Sequence, residues 1–280
     1  MIIVSAIVVT VFLALLAYWQ LIIAEGTYLG QGVVTWLYDL AAYRYDSIKG
    51  FDEEIEAIFV GRPLAETLHE EDAPLVLDIG TGTARLPITL LAQPSFQGII
   101  MGVDDSLRML AVARGKTQQY KDRLWLIWKD AAALPLRGNA FDAVTCLEML
   151  EFTPCPAGQL AEAVRVLKPG GVLLTTRRRG FDAWLMPGKT YSRTAFERLL
   201  SGLGVQQVRT ERWQVDYDLV WGLKAGESMK GVYHPLDVLL CSHCHEAALA
   251  EQSDALVCSQ CGAWYPVRDG IIDFNGAWRR

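Results

Sequence analysis

Leu75-Val76-Leu77-Asp78-Ile79-Gly80-Thr81-Gly82-Thr83-Ala84-Arg85-Leu86 decides the fold. Its first five residues are an apolar run of β-formers with Asp78 near the carboxyl end, and they read as a buried strand. Gly80 and Gly82 then supply a tight turn in which backbone can approach a ligand closely. From Ala84 onward Leu86, Ile88, Leu90 and Leu91 recur at helical spacing. Strand, glycine turn and helix start, in that order, build a nucleotide-type site at the carboxyl edge of a parallel sheet. The dinucleotide fingerprint needs a glycine where Arg85 stands, so NAD is poorly supported.

Working outward to the amino terminus, Met1 to Ala24 holds no charged side chain and is rich in Ile, Val, Leu and Ala. As a helix it would span about 36 Å at about 1.5 Å per residue, enough for a hydrocarbon core of about 30 Å. A cleaved signal peptide and a buried helix are the competing readings, and the basic start and small-x-small cleavage site that a signal peptide needs are not evident. Tyr18 and Trp19 sit where amphipathic rings favour the interface. The sequence therefore predicts a retained, single-pass anchor over 1–24. Arg44, Lys49 and Arg62 follow it, and the positive-inside bias places the bulk of the chain in the cytoplasm. The 280 residues suit one large domain with smaller appendages. A net charge of −6 argues against general phosphate-backbone binding and leaves a local basic patch open.

Val33, Trp36, Leu37, Leu40 and Ala41 follow helical spacing inside the aromatic segment 25–50. They predict an amphipathic helix that packs on the domain or lies in the membrane surface. Asp52 to His69 reads as another helix. Gly98 to Val103 is a second apolar strand ending at Asp104. A carboxylate there, about 20 residues beyond the glycine turn, can accept both hydroxyls of a ribose. Asp105 or Ser106 caps the next helix. Leu124 to Trp128 and Ala143 to Cys146 are strands three and four, the latter followed by Glu148, Met149, Leu150 and Glu151. Gln159 to Leu167 is a helix stopped by the turn Lys168-Pro169-Gly170-Gly171, and Val172 to Thr176 is strand five. Ser192 to Leu203 is a helix capped at Ser192, and 205–217 contains two late strands.

These elements carry a family resemblance. Asp78 to Ala84 resembles the first motif, D-x-G-x-G-x-G, of class I S-adenosylmethionine-dependent methyltransferases, departing at the third glycine, where Ala84 stands. Asp104-Asp105-Ser106-Leu107-Arg108-Met109-Leu110 matches the second motif. Lys129-Asp130-Ala131 resembles the Gly-Asp-Ala element whose carboxylate meets the adenine amino group. Ala133-Leu134-Pro135 and Phe141-Asp142-Ala143-Val144 are similar to the quinone- and sterol-biosynthesis branch, and Arg165-Val166-Leu167-Lys168-Pro169-Gly170-Gly171 resembles a recognisable element of the family. Tyr38-Asp39 and Tyr45-Asp46 resemble the Tyr-Asp elements that there precede the core and cover the cofactor. The resemblance implies an α/β fold, a Rossmann-like doubly wound seven-stranded sheet over 71–225, behind a helical lead-in at 25–70. It implies S-adenosylmethionine as cofactor, with contacts from Asp78, Gly80, Thr81 and Gly82. Asp104, Asp105 and Met109 of the second motif join them, with Asp130, Ala131 and Leu147 beyond.

Cys241-Ser242-His243-Cys244 and Cys258-Ser259-Gln260-Cys261 are two C-x-x-C knuckles with thirteen residues between them. Each pair can chelate from one turn, and Cys241, Cys244, Cys258 and Cys261 complete a tetrahedral structural Zn2+ site with no open position. Disulfides are the alternative, which a reducing cytosol disfavours. With Tyr265-Pro266 and Gly270-Ile271-Ile272, the segment 232–280 resembles the small zinc-binding activator subunit of several tRNA, rRNA and release-factor methyltransferases. Ile272 stands where that pattern has a proline. Cys146 and Cys155 read as buried structural thiols.

Methyl transfer from a sulfonium is an in-line displacement, so alignment, worth about 7–11 kcal/mol, is the main task. A base is needed only where the acceptor must lose a proton, and Glu148 and Glu151 are the candidates by topology. The anchor and aromatic segment point to a lipid, quinone or other hydrophobic small-molecule acceptor at the cytoplasmic membrane face. The zinc unit points instead to an RNA or protein substrate. Arg177-Arg178-Arg179, leaving strand five, could hold lipid phosphate or RNA backbone. The acidic net charge disfavours nucleic acid. The non-enzymatic alternative is a membrane-tethered cofactor-binding scaffold whose zinc unit recruits a partner.

Overall fold

The computed structural model describes residues 2–227, 231–276 and 278–279. Met1 of the expected anchor, and 277 and 280 of the expected zinc unit, lie outside the described residues. Five parallel strands form the centre: β1 (Leu75–Ile79), β2 (Ile99–Asp104), β3 (Leu124–Trp128), β4 (Phe141–Cys146) and β5 (Leu167–Arg178). Two antiparallel strands, β6 (Val205–Arg212) and β7 (Tyr217–Lys224), close one side, giving the order β6-β7-β5-β4-β1-β2-β3. The direction of winding reverses between β1 and β4, and the crevice beyond their carboxyl ends is where such sheets bind ligands.

Both faces of the sheet are covered, so β1 and β4 are buried at every position and show no alternation. On one face Leu86, Leu90, Leu110 and Ala113 of helices Arg85–Leu91 and Leu107–Lys116 pack on Val76 and Ile100. On the other, Leu160 and Val164 of helix Pro156–Val166 and Phe196 and Leu200 of helix Arg193–Gly202 pack near Leu77 and Val144. Ser106 caps its helix by accepting from Met109 N at 3.1 Å, and Ser192 caps its own by accepting from Ala195 N at 3.3 Å.

Three sequence expectations are corrected. Lys168-Pro169-Gly170-Gly171 is part of β5 and not a separate turn. The strand is held there because buried Lys168 pairs with Asp142, which also accepts from Leu75 N at 2.8 Å. The last strand runs to Lys224, past the expected limit of 217, because it pairs along β5 as far as Val172. Cys155 is exposed, since its sulfur works as the cap of helix Pro156–Val166 and accepts from Gly158 N.

The amino-terminal helix Ile2–Tyr18, none of whose residues is buried, continues as a π-helical turn through Ile23 in which Gln20 is buried, and the run of 22 residues reaches a mean hydropathy of 2.6. By length and composition it can cross a membrane. Its end docks on the domain, where Trp19 Nε1 donates to Leu185 O at 3.0 Å.

The carboxyl-terminal unit adds β8 (Leu249–Gln252), β9 (Ala255–Cys258), β10 (Ala263–Arg268), β11 (Ile271–Asp273) and β12 (Trp278–Arg279). It does not form a sheet of its own. β11 pairs in parallel with β3, Ile271 opposite Leu126 and Asp273 opposite Trp128, so the sheet runs on from seven strands to twelve among the described residues. The expectation of an isolated seven-stranded sheet gives way because β3 offers an apolar edge and β11 covers it. Val238, Leu239, Tyr265 and Phe274 share one apolar cluster with Leu77 and Ile127.

A shared sheet and core predict shared unfolding. Ile272→Ala in β11, a nearly buried position, is expected to cost about 2–4 kcal/mol. Denaturant unfolding read by zinc release and by far-ultraviolet circular dichroism should give coincident midpoints, both shifted by the substitution. Separated midpoints would show two independent units.

Candidate active site

The turn after β1 is pinned to the end of β2, because Gly80 N and Thr81 N both donate to Val103 O at 2.9 and 3.0 Å. Gly80 has φ +70°, and a Cβ there would meet Met149 at 3.0 Å. Gly82 has φ +52° with no atom within 4 Å of where its Cβ would lie, so the turn faces open space. Ala84 keeps a left-handed φ of +65° without being glycine, a strain of about 1–2 kcal/mol.

Asp104, at the end of β2, accepts from Gly82 N at 2.7 Å and from Ser106 N at 2.9 Å. Burial, aided by the neighbouring charge of Asp105, pushes its carboxyl up to about 7. Asp78 accepts from Thr145 Oγ1 at 2.6 Å, and burial raises it to about 6. Asp104, Met109, Asp130, Ala131 and Leu147 line one cavity of about 220 Å³ together with Gly80 and Gly82. Asp78 and Thr81 line an adjoining cavity of about 50 Å³ that shares Gly80, Gly82, Leu147 and Glu148 with the first. The residues expected to touch a cofactor therefore fall on two joined spaces.

Asp105 also serves a second contact. It lines the larger cavity, but its Oδ2 accepts from Gln31 Nε2 at 2.6 Å and Thr35 Oγ1 at 2.7 Å. Both donors lie on helix Gln31–Ala41, which covers the cavity. Asp39 of the same helix accepts from Ser106 Oγ at 2.6 Å, and Asp46 accepts from Thr83 Oγ1 and Lys116 Nζ at 2.6 and 2.7 Å. Tyr38 and Tyr45 line the cavity below this cover. Burial, with Glu25 beside Tyr38 and Glu148 beside Tyr45, pushes both phenols up, so both stay neutral hydrogen-bond donors.

The two base candidates separate. Glu148 lines both cavities, whereas Glu151 lines neither. Glu151 is buried against Tyr217, whose hydroxyl donates to it, with Arg178 at 3.8 Å. Glu148 holds a left-handed φ of +51°, a strained backbone fixed by its surroundings. Arg85 Nη1 donates to it at 2.7 Å, Gln214 Nε2 at 3.1 Å, and Lys49 lies at 3.9 Å. The other side of Arg85 binds Glu56, and its guanidinium lies 5.0 Å from the Trp213 ring centre. Sequence reasoning missed Arg85 as this hub, and it missed Gln31 and Val34 in the cavity lining. Gln31, Val34 and Tyr38 recur at i, i+3 and i+7, a helical face that was readable.

In the carboxyl-terminal unit the four sulfurs of Cys241, Cys244, Cys258 and Cys261 lie within 4.8 Å of one another, and none is in a disulfide. Cys241 to Cys261 is 3.6 Å and Cys244 to Cys258 is 3.5 Å. Tetrahedral Zn2+ with bonds of about 2.3 Å needs edges of about 3.8 Å, so the donor set fits zinc.

Residues 77–175 match the family model described as methyltransferase domain, and 235–270 match the one described as Trm112p-like protein. The chain joins a methyltransferase domain to a Trm112p-like domain. It is 41% identical over 101 residues to demethylmenaquinone methyltransferase of Lactiplantibacillus plantarum, covering 35% of this chain and 43% of that one. It is 32% identical over 111 residues to ubiquinone biosynthesis O-methyltransferase of Coxiella burnetii, covering 39% and 46%. The chain thus spans about half the length of the curated relatives it matches. Among solved structures, the [4+2]-cyclase SpnF superposes with TM-score 0.58 at 18% identity, covering 71% of this chain and 98% of that one. A chain of the complex between the Haloferax volcanii Trm112 methyltransferase activator and its methyltransferase does so with 0.54 at 19%, covering 68% and 98%. These likenesses show the fold.

The methyltransferase domain's cavity fits an adenosine ligand. Asp104 offers free lone pairs to a ribose diol, Asp130 to an adenine amino group, and Val103, Met109, Leu147 and Phe152 offer apolar surface to a ring. Asp104 accepts both hydroxyls only when ionised. S-adenosylmethionine affinity is therefore expected to rise up to about tenfold per pH unit below about 7 and to level off above it. Calorimetry across pH 5.5–8.5 should also show proton release near neutrality, absent in Asp104→Asn. A flat profile would remove Asp104 from the ribose.

Proposed function

We propose that the chain transfers a methyl group from S-adenosylmethionine to a quinone-like hydrophobic acceptor at the cytoplasmic face of a membrane. When bound, the cofactor supplies an electrophilic methyl group on a sulfonium. Asp104 and Asp130 would hold its nucleoside, and Asp78 would offer an acceptor to its ammonium. Tyr38 and Tyr45 exclude water from above and present neutral hydroxyls. Glu148, at the junction of the two cavities, takes the proton of a hydroxyl or activated-carbon acceptor, and Arg85 and Gln214 fix its orientation.

The observation that carries the acceptor assignment is the origin of the cavity's cover. Helix Gln31–Ala41 follows the apolar helix after seven residues, and Trp19 and Tyr28 tie that junction to Leu185 and Pro187. A hydrophobic acceptor would then reach the site from the bilayer. The names of the quinone-pathway relatives support the same class. A second reading, methylation of RNA or protein, is favoured by the Trm112p-like domain. The net charge of −6 speaks against RNA.

Methyl-labelled S-adenosylmethionine, membranes or liposomes carrying demethylmenaquinol, and total RNA are the assay. Label in the organic extract, absent in Asp104→Ala, is the expected result. Glu148→Gln is expected to lower kcat about 100-fold while leaving cofactor affinity within about threefold. Label in RNA or protein would overturn the acceptor assignment, and failure to bind cofactor at all would leave a scaffold.

A further inference from the structure

Arg177-Arg178-Arg179 at the end of β5 takes no part in either cavity described above. Arg177, Arg179, Arg193 and Arg212 instead surround a separate cavity of about 200 Å³ with Thr210, Glu211 and Asp218. Four guanidinium groups there face three carboxylates, the third being Glu197, which accepts from Arg193 Nε at 2.8 Å and from Thr210 Oγ1 at 2.7 Å. Asp218 is engaged by Arg177 and by Arg179 at 3.4 Å, and Glu211 accepts from Trp221 Nε1 at 2.9 Å. Arg177 is largely buried and is held in place by Asp218 and by Tyr191 O, to which its Nη1 donates at 3.1 Å. The cavity therefore holds excess positive charge on planar guanidinium groups, those of the exposed Arg193 and Arg212 among them, the chemistry that recognises a phosphate.

Its surroundings are apolar and exposed. Arg179 leads into the short helix Gly180–Trp184, where Phe181 and Trp184 stack at 5.7 Å and are 69% and 74% exposed. Arg179 Nη1 also donates to Val215 O at 3.1 Å, and Val215 is 83% exposed. The chain just beyond this helix receives the end of the apolar amino-terminal helix, through Trp19 on Leu185 and Tyr28 on Pro187. Apolar helix, aromatic pair and arginine cavity thus meet around residues 177–187.

We propose that this surface docks on the bilayer, with Phe181, Trp184 and Val215 at the headgroup boundary and the arginine cavity holding the phosphate of an anionic phospholipid. The proposal rests on the reading that the apolar helix spans a membrane and leaves the domain on the cytoplasmic side, where the leaflet is anionic. Aromatic rings prefer that interface. An RNA backbone offers the same phosphate chemistry, but continuity with the apolar helix favours lipid.

The test uses the full chain in nanodiscs of phosphatidylcholine alone or with about one-fifth phosphatidylglycerol, read by peptide-resolved amide exchange. Peptides over 177–187 and 209–218 are expected to exchange about fivefold slower in the anionic discs, the worth of about one arginine at such a surface. Arg193→Gln with Arg212→Gln, both exposed side chains, should abolish that difference while β1 stays unchanged. Equal exchange in the two discs for a normally inserted chain would overturn the lipid site and leave the membrane reading standing. A chain that does not enter either disc would overturn the membrane reading and the docking site with it. Slowing by added RNA, with none from phosphatidylglycerol, would assign the cavity to nucleic acid and overturn the proposal.

Discussion

An uncovered β3 is the constraint on which this architecture turns. Leu124-Trp125-Leu126-Ile127-Trp128 is apolar throughout, and as the last strand of a seven-stranded sheet it would expose a row of unpaired amides and carbonyls. β11 satisfies that edge in register. The consequence reaches the site, because the residues after β3 carry Asp130 and Ala131 into the cavity. Phe274 N and Asn275 Nδ2 both donate to Trp128 O, at 3.1 and 3.2 Å, and Lys129 Nζ reaches Phe274 O. Phe274 in turn stacks on Tyr265 at 4.5 Å, whose hydroxyl contacts the Cys241 sulfur at 3.2 Å. A short chain of packed groups therefore connects the cysteine cluster to the cavity wall that carries Asp130 and Ala131.

The opposite wall is held in another way. Val34 is the one buried residue of helix Gln31–Ala41, so little apolar area keeps this cover closed. Its attachment is polar: Asp105 holds Gln31 and Thr35, Asp39 holds Ser106, and Asp46, in the short helix that follows, holds Thr83 and Lys116. Contacts of that kind exchange for water at small net cost, about 1 kcal/mol each. The cover is thus held largely by groups that water can replace, the kind of attachment that lets an element over a cavity open locally.

The parallel core was legible because both faces are buried and its strands read as continuous apolar runs, and because Asp78, Gly80, Gly82 and Asp104 occupy fixed places on strand ends. The four cysteines were legible because metal chelation is a matter of spacing. The continuity of the sheet was not, since pairing between β3 and β11 joins residues far apart in sequence and leaves no periodic trace. Asp105 was assigned to the cofactor on motif position alone, and only the fold reveals Gln31 and Thr35 against it. Glu148 and Glu151, three residues apart, could not be told apart until a left-handed backbone at Glu148 turned one to the cavity and left the other against Tyr217.

On the proposed reading, anchor and cover cannot move independently. Only seven residues separate Ile23 from Gln31, and within them Ala24 is fully buried in a cluster with Val34, Phe152 and Met186. Thr27 donates to Glu151 O at 3.1 Å, while Glu25 accepts from the Tyr38 hydroxyl at 2.7 Å. The end of the apolar helix, the cover, the segment after β4 and the loop at 186 therefore share one small core. Opening the cover by rotating it away from Asp105 pulls on that core, and through Trp19 on the position of the helix itself. For an acceptor dissolved in the bilayer this coupling is an advantage, because the movement that admits it is made by the element already in contact with its solvent.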